Sequence, residues 1–272
     1  MSISEEELRF GFGKNWRRYL EGLNDEKIEL AQQSLENMLA EMSLKDVRFL
    51  DIGSGSGLFS LVARQRGAVV YSFDYDQQSV ACTKSLKQCY FENDSGWEIE
   101  QGSVLDKEYL KSLGKFEIVY SWGVLHHTGA MWDALSNVVD LVDKNGKLFI
   151  AIYNDQGRMS RRWLAIKRVY NRMPASLRFL ILWPTFLVLW GPTMIRDLFR
   201  GKPFYRWKQY KNSTRGMSAW RDVVDWVGGY PFEVARPEEI FDFFHSRGFQ
   251  LIKLKTCGGG LGCNEFVFKL DK

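Results

Sequence analysis

The chain is poor in cysteine and histidine, and each scarcity removes a class of protein. Its four cysteines, Cys82, Cys89, Cys257 and Cys263, make no C-x-x-C pair and no zinc-ligand spacing. A disulfide framework and a bound metal are therefore not expected, and the thiols read as reduced. Only three histidines, His126, His127 and His245, are available for proton chemistry. The opening MSISEEELRF has neither a basic leader nor an apolar run, which sets the expectation of a cytoplasmic protein. The charge-free run between Arg178 and Arg196 holds 17 residues and includes Pro184, Thr185 and Pro192. A spanning helix needs about 20 mostly apolar residues, so this run reads as too short and too broken to cross a bilayer alone. No Asn/Asp-Pro-Pro-aromatic motif and no Pro-Cys dipeptide is present, which argues against chemistry on nucleic-acid bases.

With 272 residues, 45% hydrophobic and 26% charged, the chain is long enough to bury a full core as one domain with an elaboration. Its net charge of +4 is unevenly spread. Asp155–Tyr230 carries 15 Lys+Arg against four acids, and six of the ten tryptophans. A mildly acidic body is thus interrupted by a basic, aromatic-rich insert, an asymmetry that marks an anionic partner.

Val47–Ile52 is a short apolar run that ends in Gly53-Ser-Gly55-Ser-Gly57, and a helical pattern over Leu58–Arg66 follows. Strand, glycine turn and helix let a nucleotide-like ligand approach the backbone where a sheet opens. A second strand, Ala68–Phe73, places Asp74 where an acid accepts hydrogen bonds from ribose hydroxyls. A dinucleotide fingerprint would have its third glycine where Leu58 stands. Asp51, two residues before the first glycine, would repel a pyrophosphate; a cationic amino group beside a ribose would gain from it. Further strands are expected at Trp97–Gln101, Phe116–Ser121, Lys147–Tyr153, Phe249–Lys255 and Glu265–Leu270, with a turn at Lys144-Asn145-Gly146. Helices are expected at Asp25–Met42, Trp132–Val142 and Pro237–Arg247.

Taken in order, FLDIGSGSGLFS, YSFDYD and EIVYSWGVLHHT resemble the motif series of class I S-adenosylmethionine-dependent methyltransferases. The resemblance covers about Val47 to Ile152 and resumes over Arg236 to Leu270, and includes a general likeness to quinone and natural-product methylases. It implies an α/β, doubly wound, Rossmann-like fold, with a seven-stranded sheet in the order 3-2-1-4-5-7-6, the last strand antiparallel and a helical insert after strand five. It also implies S-adenosyl-L-methionine as cofactor and S-adenosyl-L-homocysteine as product. By this likeness Gly53, Ser54, Gly55 and Gly57 border the methionine moiety, Asp51 orients its amino group, Asp74 holds the ribose and Tyr75 flanks the adenine. Where the family often has an acid after strand three, this chain has Gly102-Ser103-Val104, leaving adenine recognition to Ser103, Val104, backbone or Asp106. Ser121 at the end of strand four joins the cofactor set.

Methyl transfer from a sulfonium is an in-line displacement, so much of its acceleration comes from positioning, worth up to roughly 7–11 kcal/mol. An oxygen acceptor must also lose a proton, and a general base adds on the order of 10²–10⁴-fold. His126 and His127 follow strand four, where the reactive methyl should lie; His126 is ahead because the family's first position of the pair faces the pocket. Tyr153 and Glu233 are the second-tier candidates. Thr256–Cys263 (TCGGGLGC) is either a loop for close approach to a substrate or a plain flexible hairpin.

Four segments follow: an N-terminal helical lid over 1–46 carrying Phe12 and Trp16, a core over 47–154, the insert over 155–231 and the closing helix and strands over 232–272. In the insert, Met159, Trp163, Ile166, Tyr170 and Met173 form an apolar stripe on a helix whose other faces carry Arg158, Arg161, Arg162, Lys167, Arg168 and Arg172. Three readings of 158–200 remain open: a cap buried on the body, a peripheral membrane contact on the inner face of the membrane, or a homo-oligomer contact. The reading that results is methylation, on oxygen, of a small-molecule, glycan or lipid-linked acceptor, with a histidine base. A nucleic-acid methyltransferase, another sulfonium chemistry and a non-catalytic binder are the alternatives.

Overall fold

The computed structural model describes residues 8–39, 42–213 and 218–271. Contacts divide the chain into two units: Gly11–Gly157 with Glu233–Lys272, and the residues up to Phe10 with Arg158–Phe232.

The first unit is built on β1 (Arg48–Ile52), β2 (Val69–Asp74), β3 (Trp97–Gln101), β4 (Phe116–Trp122), β5 (Val142–Tyr153), β6 (Phe249–Lys255) and β7 (Cys263–Leu270). They form one seven-stranded sheet in the order β3-β2-β1-β4-β5-β7-β6, with β1–β5 parallel and β7 antiparallel to both β5 and β6. Its helices are α1 (Gly13–Leu20), α2 (Asp25–Leu39), α3 (Leu58–Gln65), α4 (Gln77–Tyr90), α5 (Lys107–Leu113), α6 (Met131–Val139) and α11 (Pro237–His245). The helix expected to run to Met42 is described only to Leu39, and residues 40 and 41 lie outside the described set.

Side-chain alternation along β1 sorts the core. Leu50 and Ile52 join Leu110, Leu135, Val138, Ile240 and Phe244, from α5, α6 and α11. Phe49 faces the other way; it stacks 5.9 Å from Tyr120, which lies 5.0 Å from Phe59 of α3 and 5.0 Å from Phe149. Asp51 shares the parity of Phe49 and so points toward α3. The turn expected at Lys144-Asn145-Gly146 instead lies inside β5. Asn145 takes φ 59°, a left-handed state that Asn tolerates, and the β4–β5 register shifts between Phe116 and Ile118.

The second unit contains α7 (Arg158–Arg172), α8 (Phe179–Phe199), α9 (Tyr205–Ser213) and α10 (Ala219–Gly228). Tyr170, Val223 and Val227 form its buried centre, with Phe10, Ile166, Phe186 and Trp190 packed around them. Phe10 N–H donates to the Tyr230 carbonyl at 2.9 Å.

Two expectations about the insert are corrected here. Pro184 and Pro192 do not break the apolar run: both lie inside α8, a continuous helix of 21 residues. Each removes one N–H, from the Leu180 and Val188 carbonyls respectively, and the remaining bonds keep the helix intact. With its preceding turn the segment Ala175–Phe199 is 25 residues, long and apolar enough by length and composition to cross a membrane. Lys167, read as a solvent-side charge of α7, is fully buried. Its ammonium donates to the Trp226 carbonyl and lies 4.6 Å from the ring centroids of both Trp226 and Phe232.

Burial pushes the Lys167 ammonium down from 10.5 to about 7, with Asp225 opposing. A group whose folded pKa is depressed stabilises above its unfolded pKa and loses that contribution as pH falls through the folded one. The helical unit should therefore gain stability from pH 7 to 10.5, with a slope of at most about 1.4 kcal/mol per pH unit. In Lys167→Met this rise should vanish, as read by denaturant melts across that range.

Candidate active site

The chain leaves β1 through three glycines held at φ 76°, 58° and 80° for Gly53, Gly55 and Gly57, a region that side chains with a Cβ avoid. Gly53 and Ser54 both donate backbone N–H groups to the Phe73 carbonyl at 2.8 and 3.1 Å, and Gly57 N–H closes the turn on the Ser54 carbonyl at 2.8 Å. A Cβ on Gly57 would lie 2.9 Å from Thr83 of α4, and one on Gly55 would lie 2.9 Å from the Trp16 indole. The Ser54 hydroxyl is turned away, bonded to Thr83 Oγ1 at 2.9 Å, so its offering to a ligand is backbone.

Asp51 is 2% exposed and ends a directional chain of hydrogen bonds. The Ser60 hydroxyl donates to Asp51 Oδ2 at 2.5 Å, which uses its one proton. Ser72 must then donate to Ser60 at 2.7 Å, and Trp97 Nε1–H donates to Ser72 at 2.9 Å. Asp74 accepts the Gly55 N–H on Oδ2 and the Asp76 N–H on Oδ1, both at 2.9 Å. Every one of these donors is neutral, and neither carboxylate has an ion-pair partner among the described residues. Burial pushes Asp51 up to about 7, against the Ser60 hydrogen bond and with the Asp74 charge adding. Burial pushes Asp74 up to about 6, against the amides of Gly55 and Asp76.

Beyond Asp74, Tyr75 is exposed. Asp76 caps α4 through Gln78 N–H at 2.8 Å and takes the Gly13 N–H at 2.9 Å, which ties α1 to this edge. Ser103 Oγ accepts the Leu105 N–H at 3.2 Å. Val104 is buried, its carbonyl held by Asn137 at 2.9 Å, and Asp106 caps α5 through Glu108 and Tyr109 at 3.1 Å. Ser121 is buried and donates to the Ile52 carbonyl at 3.1 Å, cross-linking β4 to β1.

The two histidines occupy a short 3-10 turn, Leu125–His127, after β4. His126 is fully buried. Tyr153 N–H donates to its Nδ1 at 3.3 Å, so the proton of the neutral ring sits on Nε2. Its carbonyl accepts the Glu233 N–H at 3.0 Å, and the Tyr153 ring lies 3.9 Å from its own. Of the pair, in which His126 is expected to face the pocket, His127 is the partly exposed one. The Phe12 ring lies 5.0 Å from the His127 ring and Tyr153 stands perpendicular to it at 5.3 Å. Both carboxylate oxygens of Glu233 are 3.0 Å from Met131 N at the start of α6, a helix-anchoring position. Burial raises its pKa, with the Met131 amide opposing.

The glycine loop between β6 and β7 is pinned. Asn154 Nδ2 donates to the Gly260 carbonyl at 3.3 Å and Gln156 to that of Gly259 at 3.2 Å. Asn264 bridges Asn154 Oδ1 at 3.0 Å and Cys257 N–H at 3.1 Å. Because Tyr153 pairs with Cys263, the loop stands at the same sheet end as the histidines. Sequence reasoning missed Ser60, Ser72, Trp97 and Thr83. The available signal was Ser60 itself, a serine on the inward face of α3 between Leu58 and Leu61, all buried.

Residues 16–178, more than half of the chain, match a family model described as a methyltransferase domain. Over 115 residues the chain is 27% identical to a ubiquinone biosynthesis O-methyltransferase from Pelagibacter ubique; the match covers 42% of this chain and 45% of that protein, less than half its length. Among solved structures, a magnesium protoporphyrin IX methyltransferase from Synechocystis PCC 6803 with bound S-adenosylmethionine aligns over 98% of both chains, at 12% identity and TM-score 0.56. An N-methyltransferase from Bradyrhizobium japonicum in complex with S-adenosylhomocysteine aligns over 96% of this chain and 100% of that one, at 13% identity and TM-score 0.54. The sheet order, the glycine turn and the family match agree, and the chain belongs to the class I S-adenosylmethionine-dependent methyltransferases.

Proposed function

We propose that this chain transfers a methyl group from S-adenosyl-L-methionine to an oxygen of a small-molecule acceptor, with the cofactor held between the glycine turn and Asp74. The observation that carries the cofactor site is electrostatic: two carboxylates with raised pKa values, Asp51 and Asp74, flank a glycine turn and are met only by neutral donors. Such a site favours a cationic ligand. A Cβ at Gly55 or Gly57 would collide with Trp16 or Thr83, so only glycine lets the turn pack this closely, and the two acids flanking it suit a cationic group. When bound, S-adenosylmethionine supplies an electrophilic methyl on sulfur.

Within this reading Gly53, Ser54 and Gly55 offer backbone groups to the amino-acid portion, and Asp51 supplies negative charge from below. Asp74, at the end of β2, serves the ribose hydroxyls. Tyr75 and the Ser103-Val104 backbone border the base, and Ser121 keeps the strand ends in register. Trp16 and Phe12 cover the turn and the histidine respectively, excluding water. His127 removes the acceptor proton, and His126, locked by Tyr153 and Glu233, positions it. Glu233 anchors α6 instead of serving as a base. Oxygen as the acceptor atom is supported by the O-methyltransferase relative and by an imidazole at this sheet end. The helical insert occupies the chain between Gly157 and Glu233. Its basic, aromatic composition favours an anionic or lipid-linked acceptor.

Asp74→Ala should lose both ribose hydrogen bonds; at about 1.5–3 kcal/mol each, cofactor affinity by calorimetry should fall at least about 100-fold. Unchanged affinity would remove Asp74 from the site. In the free protein both acids favour folding below pH 3.8 and lose that contribution as pH rises through about 6 and 7. A bound cation lowers both pKa values, so cofactor binding near pH 6 should release protons, measured as a dependence of calorimetric heat on buffer ionisation enthalpy.

His127→Ala should slow methylation of hydroxylated aromatic acceptors by about 10²–10⁴-fold while cofactor affinity stays unchanged. His126→Ala should lower the melting temperature as well, since it removes the acceptor of the Tyr153 amide. Equal rates for His127→Ala and wild type would exclude it as the base.

A further inference from the structure

The outer surface of α8 has the wrong chemistry for water. On one side this helix packs within its unit: the Phe186 ring lies 5.5 Å from Trp207 and 5.7 Å from Trp220, and Trp190 lies 4.8 Å from Trp207 and 5.1 Å from Tyr210. On the other side Leu180, Leu187, Val188, Ile195, Leu198 and Phe199 are 54–87% exposed. These positions recur at helical spacing along one stripe, about 29 Å long at 1.5 Å per residue. Apolar stripes of this extent mark an interaction surface.

Charge identifies the occupant. Arg178 precedes the helix, and Arg196, Arg200 and Lys202 close it. The acids of the surrounding segment are engaged elsewhere: Asp197 is buried and holds the Arg206 N–H at 2.8 Å, Asp222 accepts the Tyr210 hydroxyl at 2.5 Å, and Asp155 lies 3.9 Å from Arg236. Only Asp225, beside Lys167, completes the four. An apolar stripe with an exposed tryptophan, Trp183, and a surplus of arginine matches the headgroup and acyl boundary of an anionic bilayer. A protein partner would need acidic groups around a long greasy groove.

We propose that α8 docks this protein on an anionic lipid membrane, lying in the plane of the bilayer with the Leu180–Phe199 stripe in the lipid and the flanking arginines on lipid phosphates. The length of α8 would also allow it to span. Packing decides against that: α9 and α10 cover the middle of α8 and carry Arg206, Lys208, Arg221 and Asp222, charges that crossing would draw into hydrocarbon. The inference does not depend on the cofactor site.

Flotation of the full chain with vesicles tests it, using phosphatidylcholine alone and phosphatidylcholine mixed with phosphatidylglycerol. Binding should favour the anionic vesicles, weaken with salt, and be released by alkaline carbonate. Leu187→Glu/Val188→Glu should reduce partitioning at least about tenfold, with cofactor binding and melting temperature unchanged because both positions are exposed. Arg196→Gln/Arg200→Gln should remove the preference for anionic lipid and leave the fold intact. Absence of flotation on either vesicle would overturn the proposal. So would retention through carbonate, which means a spanning helix, or self-association abolished by the glutamates without vesicle binding, which means a second copy covers the stripe.

Discussion

Beneath the glycine turn, a single chain of hydrogen bonds from Trp97 through Ser72 and Ser60 to Asp51 joins three neighbouring strands to the first turns of α3. The site depends on it. It keeps a buried carboxylate beside a glycine-rich turn whose Ser54 hydroxyl is bonded away to Thr83, and Asp74 adds a second through the Gly55 amide. Burial in poor solvent, with the charge of Asp74 adding at Asp51, destabilises the ionised state of both acids.

The sheet gathers the rest of the chemistry at the same end. Parallel order sends β1, β2, β4 and β5 to one edge, where the turn, Asp74, the histidines and Tyr153 are collected. The antiparallel β7 returns its preceding loop to that edge through the pairing of Tyr153 with Cys263. Burial separates the two adjacent histidines. His126 faces inward and accepts the Tyr153 amide, whereas His127 is partly exposed and stands between the rings of Phe12 and Tyr153.

The helical unit follows a different rule. Its core mixes valines with aromatic rings, and the buried ammonium of Lys167 is accommodated by ring faces and a carbonyl instead of a carboxylate. The rings and the carbonyl only partly offset burial, which still pushes this ammonium down to about 7. The unit spends its apolar residues on both sides of α8, which is why the periodicity of that helix carries little information about which side is covered.

Much of the sheet unit was legible in the chain itself. Strand–glycine–helix punctuation, Asp74 and the WGVLHHT segment belong to local sequence, because a left-handed turn needs glycine and an acid at a strand end needs nothing distant. Strand order came through the resemblance and is matched by the pairing. What only tertiary structure decided is each case where the partner is remote: Ser60 and Ser72 under Asp51, Glu233 committed to the α6 terminus from 102 residues away, Lys167 inside an aromatic cage, and two prolines carried within an unbroken helix. A residue's type sets what it can bond to, while burial and long-range neighbours determine whether that capacity is spent on the fold or left for a ligand.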